Sequence, residues 1–215
     1  MKKRLVIMTK SAKHGGYCVV GYDLEHQEWI RLVSSDKNSD GALFDRHLIY
    51  DNRDTVKCFD EVEVDLLQHQ PKPPQVENYL INESVRFKKI KHWDYLHRSI
   101  LSKDVNLIFN NTNGTLYLSS LEYQKITRSI ICVLVKNAKI YISTNSLGQN
   151  KAKIDFQYNG KQYNYFSVTD CNFFQQNIEI PKSILIITLP TIGFSNINTD
   201  RNTYYKFVAK IIPLK

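Results

Sequence analysis

No run in this 215-residue chain approaches the roughly 20 apolar residues of a membrane-spanning helix, so a helical membrane protein is excluded. The four cysteines, Cys18, Cys58, Cys132 and Cys171, stand far apart, with no Cys-x-x-Cys pair and no closely spaced histidines. Neither a zinc site nor a disulfide framework is therefore expected, and no metal or cofactor is assigned. Each cysteine lies in or beside an apolar run, which predicts reduced, buried thiols. The eight glycines form neither a dinucleotide-binding signature nor a Walker loop, the two common glycine cradles for phosphate. Met1-Lys2-Lys3-Arg4 opens like a signal peptide, but the apolar run 5–8 is short and Lys10 ends it, which predicts a cytoplasmic protein.

Rings and positive charge stand against these absences. Thirteen tyrosines and ten phenylalanines against two methionines give a core of rigid rings, which favours strands over helical bundles. The net charge of +8 is unevenly spread. Residues 23–65 carry about twelve acids against five bases, whereas residues 104–215 carry about twelve bases against six acids. A one-sided field of this kind attracts polyanions, nucleic acid before a membrane surface. A solvated lysine surface reads the same letters.

Hydrophobic patterning predicts strands at 5–8, 17–22 and 29–33, with 23–27 as a hairpin connection, and another at 56–67, where Val62, Val64 and Leu66 alternate with Glu61, Glu63 and Asp65. Three prolines in 69–75 interrupt both helix and sheet. Beyond them Val85, Ile90, Trp93, Leu96 or His97, and Ile100 recur at helical spacing among Arg86, Lys88, Lys89, Lys91 and Arg98, which predicts a basic amphipathic helix. Strands resume at 130–135, 139–142, 153–158, 162–168, 184–189 and 204–212, with Asn159-Gly160 as a hairpin turn. The fold class expected is mainly β: two small barrels, 1–70 and 128–215, joined by a Pro-rich segment and helical connector over 71–127.

Several segments together resemble the bacterial dual OB-fold domain family. They are residues 11–18 with paired glycines, Trp29-Ile30-Arg31-Leu32-Val33-Ser34, 75–81, 156–163 leading to Val168-Thr169-Asp170, and 205–212. Departures from the family pattern are Leu32, where proline is usual, and residues 190–194. The resemblance implies two OB-like barrels that bind nucleic acid or nucleotide, with a role in defence or nucleic-acid maintenance.

Candidate binding residues follow from the letters themselves. In Lys10-Ser11-Ala12-Lys13-His14-Gly15-Gly16 the glycines let backbone approach a ligand while Lys10, Ser11, Lys13 and His14 offer donors to phosphate. A β-turn with exposed lysines is the plainer reading. Trp29 and Arg31, two apart on a strand, stack a base and clamp a phosphate if their face is open; a core Trp29 with Arg31 ion-paired to Asp23 or Glu25 is the alternative. Tyr158, Lys161, Tyr163 and Tyr165 surround the Asn159-Gly160 turn, and period two sends Tyr163 and Tyr165 to one face, Phe166 and Val168 to the other. Tyr205 and Lys206 extend the set. Asp170 reads as a turn cap.

No catalytic residue is assigned. A Cys18 nucleophile with His14 as base stands too far apart along an extended strand. The expectation is a non-enzymatic binder of nucleic acid, single-stranded before duplex, with no membrane partner and a protein partner left open. The alternatives are a small-nucleotide sensor using residues 10–16 and a metal-dependent nuclease using Glu61, Glu63 or Asp65.

Overall fold

The computed structural model describes residues 1–96, 98–145, 148–196 and 199–214. It divides into two compact units, Met1–Lys72 with Val76–Ile100, and Pro73–Gln75 with Leu101–Lys215.

The first unit holds β1 (Lys2–Lys13), β2 (Gly16–Asp23), β3 (Glu28–Val33), β4 (Asp60–His69), β5 (Asn78–Ile81) and β6 (Lys88–His92). The sheet order is β1-β2-β3-β5-β4-β6, and β4 also pairs with β1, so five strands hydrogen-bond around in a ring. Every contact is antiparallel except β3–β5. Leu5, Ile7, Val19, Ile30, Leu32, Val62 and Val64 are all sealed inside. The alternation read along β4 holds in part: Val62, Val64 and Leu66 point to the core and Glu63 and Asp65 reach water, but Glu61 is buried at 7% exposure.

Two expectations fail in this unit. Residues 10–13 are not loop but the continuation of β1, which turns through only His14 (φ 46°) and Gly15 (φ 75°) before β2 begins. The helix expected across 85–100 is instead β6 followed by a one-turn 3-10 helix at Arg98–Ile100, with His97 outside the described residues. Lys88–Lys91 pair edge-on with the acidic strand β4, and their cross-strand partners decide the conformation over their helical spacing. All five β6 residues are exposed, Ile90 of the expected stripe among them.

The second unit begins with β7 (Thr115–Ser119) and α1 (Ser120–Gln124). β8 (Ile130–Thr144), β9 (Asn150–Tyr158), β10 (Lys161–Val168), β11 (Ile178–Thr188), β12 (Phe194–Ser195), β13 (Arg201–Tyr205) and β14 (Phe207–Pro213) follow. Glu122 and Ser119 cap α1 reciprocally, so five residues suffice for a helix that the sequence reading passed over. β8, β9, β10, β14 and β11 form a closed barrel whose single parallel contact is β10–β14. β12, β13 and β7 make a separate three-stranded sheet.

Counted within each unit, the strands run 1-2-3-5-4 and back to 1, with the third and fifth parallel in both. The duplication extends past the third strand. Asp36 caps a single 3-10 turn after β3 through Asn38 N (2.9 Å), and Asp170 does so after β10 through Asn172 N (3.2 Å). Asp170 also accepts from Ile211 N and pairs with Lys210, which fixes its structural role.

Residues 71–127 do not form a connector of their own: β6 belongs to the first unit, β7 and α1 to the second. Gln75 is buried and donates to the Leu189 carbonyl (2.8 Å). The expected strand 204–212 breaks at Lys206, its first part pairing with β7 and its second joining the barrel. The cysteines are all free thiols; only Cys132 is buried, and Cys171 is exposed. Among the described residues no helix is long and apolar enough to cross a membrane.

Candidate nucleic-acid interface

Ion pairing consumes most of the first unit's basic residues. Lys2 reaches Glu63 (2.9 Å), Arg4 reaches Glu61 (2.6 Å), Lys89 reaches the buried Asp60 (2.8 Å) and Lys91 approaches Glu61 (3.7 Å). The same pairs answer the nuclease reading. Glu61 also accepts from the Trp93 indole, and Asp65 is held by the N-terminal ammonium and Asn82, so these carboxylates balance cations instead of converging on an open site. Asp23, His26 and Glu28 do converge, but the Lys3 ammonium lies among them, 3.0 Å from Asp23 and 2.7 Å from Glu28.

The candidate residues at 10–16 are spent in a similar way. Lys10 stands 4.4 Å over the Tyr17 ring and 3.6 Å from Asp45, and Lys13 is 3.2 Å from Asp40. Ser11 is buried. A Cβ on Gly16 would lie 2.6 Å from the Leu43 carbonyl, so this glycine admits a neighbouring strand of backbone, not a ligand. His14 and Gly15 remain exposed at the hairpin tip. Arg31 is 2% exposed with Nη1 2.8 Å from the Cys18 sulfur, because both faces of β3 are covered; the expected alternation with Ile30 and Leu32 does not open it to solvent. Trp29 is half-buried edge-on against Tyr22 (5.0 Å).

In the second unit a β-bulge rearranges the predicted aromatic set. Tyr163 pairs with Phe156 and Phe166 with Ile154, so residues 164 and 165 together oppose Asp155 alone. The extra residue cancels period two. Tyr163, Phe166 and Val168 all point into the core, where Tyr163 stacks on Phe156 at 5.2 Å, and Tyr165 alone of the three rings turns outward at 50% exposure. Tyr165 takes φ 64° and donates its amide to the Asp155 carboxylate (2.7 Å).

Lys153, on β9, lies beside this outward ring. Its ammonium is 4.2 Å from the Tyr165 ring centre and 5.6 Å from that of Tyr205, and it donates to Ser167 Oγ (2.9 Å). Burial, and secondarily the nearby Lys151 charge, pushes its pKa below the usual lysine value. Tyr205 meets Phe194 edge-on at 5.5 Å and Phe207 at 6.3 Å. Phe194 is 67% exposed, and Tyr205 and Phe207 are half-buried. Four rings from β10, β12, β13 and β14 thus form one surface, with Lys153 of β9 buried beneath it at 7% exposure and its ammonium against two of the rings. The sequence reading named Tyr165 and Tyr205. It missed Lys153, Phe194 and Phe207, whose signal was the alternation of Tyr205 and Phe207 about Lys206.

Lys206 itself is not on this surface. It is fully buried, donating to Ile108 O (2.7 Å), Asn111 O (3.0 Å) and Asn111 Oδ1 (2.7 Å), and burial lowers its pKa to about 7. Tyr158 is half-buried, its hydroxyl bound to Val105 O (2.6 Å), whereas Lys161 is exposed beside the Asn159-Gly160 turn.

A model of the dual OB-containing domain matches residues 3–211, nearly the whole chain, and the protein belongs to that family. No curated protein and no solved structure matches it. OB-type barrels in general bind oligonucleotides or oligosaccharides on the face of their second and third strands; in the closed barrel those strands are β9 and β10.

Proposed function

We propose that this member of the dual OB-containing domain family binds single-stranded nucleic acid on the β9–β10 face of its second unit, without catalysing a reaction. The observation that carries the reading is Lys153 set between the Tyr165 and Tyr205 rings. Exposed rings stack on bases of any sequence, and a cation between them meets the phosphate that joins two stacked bases. A duplex hides its base faces within its own stack and gains little from such rings. The surrounding charge agrees: Lys151 and Lys161 are exposed and make no ion pair among the described residues.

Titration of the full chain with fluorescent single-stranded DNA, single-stranded RNA and duplex DNA at several salt concentrations tests this. Single strands are expected to bind more tightly, with affinity falling linearly in log-log coordinates. Equal or tighter duplex binding, or no binding of either strand, would overturn it.

A further inference from the structure

An open-mouthed cavity of about 550 Å³ lies elsewhere in the second unit and shares no residue with the ring surface. Its apolar wall is Val105, Phe109 and Ile131, all buried, and Asp104, Lys125 and Arg128 on its lining are exposed. Neither Lys125 nor Arg128 makes an ion pair among the described residues. Glu122, the remaining charged residue of the lining, is occupied by Ser119 N (2.8 Å) and Ser119 Oγ (3.0 Å), with Arg201 at 3.9 Å.

The wall is held in a costly conformation. Asp104 (φ 57°), Phe109 (φ 47°) and Asn110 (φ 66°) all occupy the left-handed region, which a phenylalanine adopts rarely. Side chains from elsewhere in the unit fix the segment. Tyr158 and Asn159 donate to Val105 O, and Lys206 donates to Ile108 O and Asn111. A strained wall over-determined by its surroundings is a shape kept against its own cost, as at ligand sites. The wall is therefore set before any ligand arrives.

We infer that this cavity is a site for a nucleoside phosphate, separate from the ring surface. The apolar wall takes the flat base, Arg128 and Lys125 take the phosphate, and Asp104 accepts from a ribose hydroxyl or an exocyclic amine. Two sources share that chemistry, a free nucleotide and the 5′-phosphorylated end of a strand.

The full chain is titrated with AMP and ATP by calorimetry, and with one short oligonucleotide carrying either a 5′-phosphate or a 5′-hydroxyl. The same is done for Arg128→Glu, Lys125→Glu and Tyr165→Ala, all at exposed positions. Mononucleotide binding weakened at least tenfold by Arg128→Glu and unchanged by Tyr165→Ala assigns the site to a free nucleotide. A preference for the 5′-phosphate that Arg128→Glu abolishes assigns it to the strand end. If neither nucleotide binding nor the 5′-phosphate preference depends on Arg128 and Lys125, the inference is overturned. Tyr165→Ala probes the ring surface alone, so the two sites fail separately.

Discussion

The Lys153 ammonium lies 4.2 Å from the centre of the Tyr165 ring and donates to Ser167 Oγ (2.9 Å). On the proposed reading, ring and cation perform separable tasks on a bound strand. Tyr165→Ala removes a stacking platform worth about 1–3 kcal/mol, a loss of about 5- to 150-fold in affinity, with the salt dependence nearly unchanged. Lys153→Met keeps the buried stem and removes a phosphate contact, so the log-log salt slope falls by about 0.7. Salt titrations of both variants check this: if Tyr165→Ala binds like the parent chain, the ring surface is not the interface.

Lys206 makes the stability of the second unit fall as pH is lowered from about 10.5 to about 7. In the folded chain burial holds its pKa at about 7, against 10.5 for a free lysine. Between those values the unfolded chain holds a proton that the folded chain has shed. Stability from this group therefore rises with pH across the window and is lost as pH falls through about 7. The slope cannot exceed about 1.4 kcal/mol per pH unit. Lys206→Met abolishes that slope, and by leaving Ile108 O and Asn111 without their donor it costs about 1–3 kcal/mol. Urea unfolding at pH 6, 7.5 and 9 measures both effects; parallel pH profiles for the two proteins would contradict them.

The lysines of the first hairpin supply a control. Lys10 and Lys13 are paired to Asp45 and Asp40, so their charge is already balanced locally. Lys10→Ala and Lys13→Ala are expected to leave affinity for single strands within about twofold. A reduced salt slope in either variant would move the interface to the first unit.

What the chain discloses by letters alone divides along physical lines. Period two in β4 is legible because Val62, Val64 and Leu66 face a core on one side only, and Asn159-Gly160 is legible because few residue pairs accept two positive φ values. Ring closure through β1–β4 and β10–β14 depends on partners far apart in sequence, and nothing local announces it. The basic run 86–91 misleads because its partners Asp60 and Glu61 lie on another strand. The bulge at 164–165 misleads more consequentially. Tyr163 and Tyr165 look equivalent by spacing, yet one inserted residue buries the first and exposes the second.

That bulge rests on Gly114, which links the candidate interface to the fold. A Cβ at Gly114 would lie 2.2 Å from the Tyr165 carbonyl oxygen and 2.9 Å from Phe166 Cα, and both are backbone atoms that cannot rotate aside. The Gly114 amide donates to Asn164 O (3.1 Å), and its carbonyl accepts from Lys206 N (2.8 Å), so the strand cannot retreat without losing both bonds. Gly114→Ala should therefore destabilise the chain by about 1–3 kcal/mol and displace Tyr165. Binding of single strands should weaken as it does in Tyr165→Ala even at temperatures where the variant stays folded. Gly160→Ala is the matched comparison. It carries φ 71° but has nothing within 4 Å of a Cβ, so it loses stability to backbone strain while its affinity stays that of the parent. Thermal melts paired with strand titrations separate the two: equal affinity loss in both variants would mean that the bulge does not position Tyr165 for binding.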